Sequence, residues 1–145
     1  MSQSTTYSGG MLITNNEHKK LFVGENSFLN ADYTNGTGDD VVLSKGTVMG
    51  RIHASNKVTP MTSAATDGSQ FPIGILADDY SVADGATKSV RFCTGGKVDR
   101  GLVVLTGADT FATVVSDKTI EDRIGSDTVG IILISFDELS ELDNQ

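Results

Sequence analysis

The chain has 145 residues, enough for one domain with its own hydrophobic core, and 38% of them are hydrophobic. Eleven Lys and Arg against nineteen Asp and Glu give a net charge of −8, which opposes attraction to phosphate backbones and excludes nucleic acid as an expected partner. The polar start after Met1 lacks the apolar region of a signal peptide, and no apolar run approaches the ~20 residues of a membrane helix. We therefore expect no membrane partner and synthesis in the cytoplasm.

The first region, residues 1–38, is rich in Ser, Thr, Asn and Gly, and its apolar side chains are few. Two short groups, Leu12-Ile13 and Leu21-Phe22-Val23, have a high β propensity, which is not expected of a tail that stays in solvent. These features predict an extended N-terminal arm that becomes ordered on a partner. The alternative is a disordered terminus.

Between residues 39 and 136 the pattern changes to short apolar segments separated by turn residues such as Asp67-Gly68 and Asp84-Gly85. The predicted strands are residues 41–43, 47–52, 73–77, 89–93, 102–105, 111–115 and 129–136. Seven short strands in about one hundred residues are typical of a small β-sandwich or barrel. The sequence thus predicts an all-β fold, mainly β with one short helix, preceded by the extended arm.

The predicted helix follows the sixth strand. Ser116 or Asp117 can cap its start, Ile120 and Ile124 lie one turn apart, and Gly125 supplies a stop. We expect this helix to cover an open end of the β core.

The last segment, residues 137–145, holds four carboxylates and no basic residue. We predict an acidic C-terminal tail that is solvated and loosely docked, because carboxylates scattered over a terminus lack the geometry of a Ca²⁺ loop.

The residues that carry enzyme chemistry are scarce. One cysteine, Cys93, and two histidines, His18 and His53, cannot assemble a structural zinc site, and neither histidine has a recognisable catalytic companion. The pair Asp78-Asp79 points to opposite faces of an extended segment, so we interpret it as turn residues rather than as a metal site. The sequence therefore predicts a protein that is not an enzyme, with no catalytic residue, no metal and no cofactor.

Residues 94–101 contain a Gly-Gly-Lys sequence, but the glycine spacing of a phosphate-binding loop is absent. This segment also faintly resembles a motif of trimeric dUTP hydrolases, although the tyrosine of that motif is missing. A trimeric nucleotide hydrolase is therefore the least favoured of the functions considered.

A stronger resemblance covers residues 43–101. A hairpin opens at residues 46–52, a polar turn follows at Asp67-Gly68-Ser69-Gln70, then a Gly-Ile-Leu strand at residues 73–79 and an alternating strand at residues 89–98. In this order, the segments resemble the head decoration, or capsid cement, proteins of lambda-like tailed phages.

The resemblance implies a homotrimer on the outer surface of the expanded phage head, where it binds the major capsid protein through its arm and stabilises the shell against internal DNA pressure. The expected location is the virion, on the outside of the capsid.

Residues of the arm can then be given a role. An extended arm can add a strand to an exposed sheet edge of the capsid protein, with apolar side chains in alternate pockets. The predicted capsid-binding residues are Leu12, Ile13, Leu21, Phe22 and Val23. On this model, deleting residues 1–25 leaves a folded domain that no longer decorates shells.

A different class of function also suits a small β domain, namely an adhesin or carbohydrate-binding module displayed on the virion. Such modules commonly use exposed aromatic platforms, and this chain has no Trp and only three Tyr. We therefore keep this function as the alternative.

Overall fold

The computed structural model describes residues 20–127 and 130–135. The strands are β1 (Phe22–Thr34), β2 (Val41–Leu43), β3 (Val48–Arg51), β4 (Val58–Pro60), β5 (Pro72–Leu76), β6 (Tyr80–Val82), β7 (Thr87–Asp99), β8 (Val114–Val115), β9 (Lys118–Thr119) and β10 (Ile131–Ile134). A 3₁₀ turn, Arg100–Leu102, follows β7, and the helix α1 (Ile120–Asp127) follows β9. The predicted all-β class with one short helix is confirmed for this part of the chain.

The main sheet has six strands in the order β1-β7-β5-β3-β4, and β10 pairs with β7 in parallel. Strands β1 and β7 pair antiparallel from Phe22 opposite Val98 to Thr34 opposite Thr87. The sheet curls until β4 approaches β1. The Lys57 ammonium group, just before β4, donates a hydrogen bond to the hydroxyl of Thr34 at 2.9 Å, which ties the two edges together at that end.

Both faces of this sheet are covered. One face meets the helix-side core, which consists of Leu21, Val48, Met61, Ile75, Cys93, Val98, Val115, Ile120, Ile124 and Ile131. The other face meets a second core, beneath the β2-β6 pair. This core consists of Tyr33, Leu43, Met49, Val58, Leu76, Val82, Val90 and Phe92. Because β5 is buried on both faces, its residues read as a continuous apolar run rather than as an alternation.

The N-terminal region divides at residue 20. Of the predicted arm, residues 22–34 form β1, the longest partner of β7, and residues 1–19 lie outside the described residues. A strand of this length was not predicted, because polar residues and a glycine interrupt its apolar residues. Asn35 then closes β1. Its buried side-chain amide donates to the carbonyl oxygens of Asp39 at 2.7 Å and Val82 at 3.0 Å.

The region after β7 contains less strand than predicted. Of residues 102–105, only Val104 forms an isolated bridge, with Thr47, and of residues 111–115 only the last two belong to a strand. At the start of the first segment, the side chain of Asp99 accepts a hydrogen bond from the N–H of Gly101 and caps a 3₁₀ turn that includes Leu102.

The predicted helix exists, with different ends. Ser116 and Asp117 have φ angles of 48° and 73° and form the β8-β9 turn, so neither caps the helix. The hydroxyl of Thr119 instead accepts a hydrogen bond from the N–H of Asp122 at 3.2 Å. Gly125 lies inside α1 rather than at its end, and Ile120 and Ile124 are buried as expected.

Two further short strands, β4 and β6, were not predicted, since each has only three residues and, unlike β2, a polar residue at its centre. Among the described helices, none has the length and apolar character required to cross a membrane. The predicted acidic tail, residues 137–145, lies outside the described residues.

Candidate functional site

The predicted capsid-binding residues fall at the start of β1. Leu21 is buried in the helix-side core, whereas Phe22 and Val23 are half-buried and pair with Val98 and Lys97 of β7. Leu12 and Ile13 lie outside the described residues. Burial gives Leu21 a role in stabilising the domain, and the capsid-binding role of the set stays a prediction.

A groove opens beside these residues. Its volume is about 510 Å³, and it is lined by Lys20, Leu21, Phe22, Lys45 and Leu102. These side chains come from three segments, namely the start of β1, the β2-β3 turn and the 3₁₀ turn. We call this feature the β1 groove. The side chain of Leu102 is 37% exposed, so the groove presents apolar surface to solvent.

The β1 groove is also cationic. The ammonium group of Lys45 lies 5.9 Å from the centre of the Phe22 ring, a cation–π contact. In residues 20–127 and 130–135, neither Lys20 nor Lys45 takes part in an ion pair. Two unpaired cations around an apolar floor stand out on a chain whose net charge is −8. The groove is therefore suited to a segment that is apolar and acidic.

Aromatic packing fixes one wall of the β1 groove. The rings of Phe22 and Phe28 meet edge to face, with their centres 5.3 Å apart. The guanidinium group of Arg91 lies over Phe28 at 3.9 Å. These contacts restrict the orientation of Phe22, so this wall exists without any ligand.

The outer edge of β1 is a second surface. In the described part of the chain, no strand pairs with this edge along its length. Two irregularities in its pairing with β7, on either side of Ser27, interrupt the strand. Natural proteins use such bulges to limit unwanted pairing of exposed edges. Leu29 is nevertheless 54% exposed here, which leaves an apolar contact at the middle of the edge.

Asp67 contacts both His53, whose backbone N–H donates to its carbonyl oxygen at 2.9 Å, and Ser69, and these residue types form a catalytic triad in some hydrolases. The arrangement here is different. The hydroxyl of Ser69 donates to the carboxylate of Asp67 at 2.6 Å, and the N–H of Ser69 donates to the same oxygen at 3.0 Å. These bonds lower the pKa of Asp67, with a smaller contribution from His53. Ser69 is buried, so this group is a turn held by its own side chains.

The other residues considered for catalysis or metal binding, Asp78, Asp79 and Cys93, make structural contacts. Asp79 accepts a hydrogen bond from the N–H of Lys45 at 2.6 Å, and Asp78 forms an ion pair with Arg91 at 3.8 Å. Burial raises the pKa of the Cys93 thiol, which donates to the carbonyl oxygen of Gly95 at 3.2 Å. Over the described ranges, no three His, Cys, Asp or Glu side chains are grouped so that they could hold a metal ion.

Lys45 and Leu102 were not predicted as site residues. Lys45 reads as part of a turn and Leu102 as the start of a strand. Only the packing of the β2-β3 turn against the 3₁₀ turn brings them to Phe22, and no local pattern encodes that contact.

Comparison with known proteins bears on the whole domain. No curated protein matches the chain. The family model of the bacteriophage lambda head decoration protein D matches residues 15–119, from before β1 to the end of β9, which is more than half of the sequence. The match extends beyond the segments in which the resemblance was visible. The chain therefore belongs to the family of the lambda head decoration protein D, a family of structural proteins of the phage capsid.

Proposed function

We propose that the protein binds the outer surface of the expanded phage head as a homotrimer and stabilises the shell against the pressure of packaged DNA. The single observation that carries this proposal is the family match over residues 15–119. The proposed partners are the major capsid protein and two further copies of the chain. The proposed location is the outside of the virion, after synthesis in the host cytoplasm.

The shape of the domain supports a bridging role. Both faces of the central sheet are covered by the protein's own cores, so partners can reach its edges, its loops and the terminal segments. A molecule that contacts several capsid subunits resists their separation, because binding only the intact shell lowers the free energy of that state. This mechanism requires no chemical reaction.

The arm before Lys20 supplies the proposed grip. Its apolar pair, Leu12-Ile13, follows Met11 and precedes polar residues, and it suits a strand that adds to an exposed capsid edge. A trimer presents three such arms. Linked sites raise overall avidity by about 10²–10⁴ when they engage together, so each arm needs only weak affinity.

The charge of the protein supports the same location. A net charge of −8 keeps the chain soluble and disfavours contact with DNA. A protein that decorates a DNA-filled shell must bind the capsid protein without binding the packaged DNA.

Electron microscopy of empty expanded heads mixed with the purified protein tests the proposal. We expect regular surface density at local threefold positions. The double variant Leu12→Ser/Ile13→Ser should lose this density while the protein stays folded. A matched control, Val114→Ser, changes an exposed apolar residue on β8 and should retain full occupancy.

Two results would contradict the proposal. Heads that remain bare with the unaltered protein would exclude decoration. If the unaltered protein then binds glycans, this result would favour the adhesin. Full occupancy by the Leu12→Ser/Ile13→Ser variant would keep decoration but exclude the arm as its grip. Mass measurement in solution tests the trimer separately.

A further inference from the structure

We propose that the β1 groove binds the acidic C-terminal segment, residues 136–145, of the same chain. The groove has an apolar floor and two cations, and this segment has apolar side chains for the floor and carboxylates for the cations. The inference concerns the isolated protein and does not rest on binding to a capsid.

Charge is the first argument. The segment carries four carboxylates and no basic residue, namely Asp137, Glu138, Glu141 and Asp143. Lys20 and Lys45 stand at the groove and make no ion pair within residues 20–127 and 130–135. On a surface with excess negative charge, such a segment is repelled from most places and attracted to this one.

Apolar complementarity is the second argument. The segment contains Phe136, Leu139 and Leu142 at intervals of three residues, a spacing that puts three side chains on one face of a helical turn. The groove offers Phe22 and Leu102 as half-exposed apolar partners. Docking therefore buries apolar surface on both sides, while the carboxylates between these positions stay near the lysines.

Position is the third argument. Ile134, near the end of β10, pairs with Asp99 of β7, and the N–H of Asp99 donates to the carbonyl oxygen of Leu21 at 2.8 Å. Adjacent strands are about 4.8 Å apart, so Ile134 lies about 10 Å from the backbone beside the groove. From Ile134 to Leu139, two extended residues followed by three helical residues span about 11 Å. Leu139 therefore reaches the groove without any movement of the domain.

The N-terminal segment is the competing occupant, since Lys20 itself lines the groove. Its apolar pair Leu12-Ile13 could fill the floor. Residues 1–19, however, contain one carboxylate, Glu17, and the basic Lys19 two positions later, so they offer the two groove lysines little charge complementarity. The C-terminal segment satisfies both requirements and is the occupant that we assign.

NMR of the full chain tests this assignment. We expect nuclear Overhauser contacts from the methyl groups of Leu139 and Leu142 to the ring of Phe22 and the methyl groups of Leu102. We also expect backbone order parameters for these two leucines near ~0.85, the value of a rigid backbone. The variant Lys45→Glu should abolish the contacts and lower the order parameters below ~0.6.

The matched control is Lys118→Glu, an equal charge reversal at an exposed position of β9, which should leave the contacts intact. A second variant, Leu139→Ser/Leu142→Ser, changes only the tail and should shift the resonances of Phe22 and Leu102. It keeps the test decisive if Lys45→Glu fails to fold.

Three results would overturn the inference. Order parameters below ~0.6 in the unaltered chain would mean that the segment is undocked. Contacts from Leu12 or Ile13 to Phe22 would make the arm the occupant. Contacts seen only between differently labelled chains in a mixed sample would move the segment to a neighbouring copy.

Discussion

Gly46 faces the carbonyl oxygen of Leu102 so closely that a β-carbon at residue 46 would overlap that oxygen. Gly46 also has a φ angle of 96°, a conformation that side chains rarely adopt. Its carbonyl oxygen accepts from the N–H of Val104 at 2.8 Å. The close approach holds the β2-β3 turn and the 3₁₀ turn together, and these two turns carry Lys45 and Leu102 of the β1 groove.

Substitution of Gly46 by alanine should therefore destabilise the domain. The backbone strain alone costs about 1–3 kcal/mol, and the overlap with Leu102 adds to it. Gly107→Ala is the matched control, because Gly107 also has a positive φ, 64°, but open space around it. Urea denaturation should show a clearly larger loss for Gly46→Ala. Equal losses would mean that the contact with Leu102 contributes nothing.

Asn35 should be highly sensitive to an isosteric change. Its amide donates to two carbonyl oxygens, and its side-chain oxygen accepts from the N–H and the hydroxyl of Thr37. Asn35→Asp replaces the donor by an oxygen that faces two carbonyl oxygens. We expect a loss of about 3 kcal/mol or more in the free energy of unfolding, since each buried polar group left unpaired costs about 1–3 kcal/mol.

The control for this prediction is Asn30→Asp, the same change at an exposed position of β1. It should alter the midpoint of urea denaturation little. If both variants unfold at the same urea concentration, the buried amide does not hold the loop.

Arg123 should fasten α1 to the β8-β9 pair. Its guanidinium group donates to the carbonyl oxygens of Val115 at 2.7 Å and Ser116 at 2.8 Å, and it lies over the ring of Phe71 at 4.8 Å. Arg123→Lys keeps the charge but replaces the planar guanidinium fork, whose Nε and Nη2 atoms donate to these two oxygens, by one compact ammonium group. We expect it to cost about 1–3 kcal/mol, measured by thermal or urea unfolding. A loss as small as that of Lys118→Ala, a neighbouring exposed lysine, would exclude this role.

The stability of the domain should depend on Asp67 below neutral pH. The hydrogen bonds from Ser69 lower the pKa of Asp67 below the 3.8 of a free carboxyl group. The ionised group therefore stabilises the folded state fully above the unfolded pKa, and this contribution is lost as the pH falls through the lower folded pKa. The stability difference between the native chain and Asp67→Asn should be constant from about pH 7 to 5 and shrink below pH 4.

Ser69→Ala provides the control for Asp67. It removes the hydroxyl donor, so the pKa of Asp67, followed by NMR titration, should rise toward its ordinary value. An unchanged titration in this variant would mean that the hydroxyl does not act on the carboxylate.

Two truncations should separate the arm from the domain. Removal of residues 1–19 spares Leu21 and all of β1, so the free energy of unfolding should stay within about 0.5 kcal/mol of the full chain. Removal of residues 1–25, which the sequence predicted to leave a folded domain, deletes Leu21 from the helix-side core together with the first pairs of β1. Loss of a buried leucine alone costs about 2–5 kcal/mol. Equal stability of the two truncated proteins would contradict this view of β1.

Local sequence patterns were sufficient where a segment is buried on both faces. The apolar residues of strand β5 and of the centre of β7 identify these segments as strands even when their pairing partners are unknown. They were not sufficient at the edge. Strand β1 has many exposed polar side chains, and it is a strand because β7 offers thirteen residues of backbone to pair with.

The candidate site was only half visible for a related reason. Phe22 could be singled out as an apolar residue in a polar segment, but Lys45 and Leu102 are ordinary residues of two turns. They gain a role because Gly46 lets those turns meet. Contacts between distant segments depend on tertiary packing, which a one-dimensional pattern does not contain.

The two cores share the central strands as a common wall. Val48, Ile75 and Cys93 point to one side of that wall, and Met49, Leu76 and Phe92, each one residue away in sequence, point to the other. A single residue inserted into β5 would thus turn the side chains on one side of the insertion toward the opposite core. Lengthening this protein should be tolerated in its loops and termini and rejected in these strands, so homologues should differ in length at their periphery.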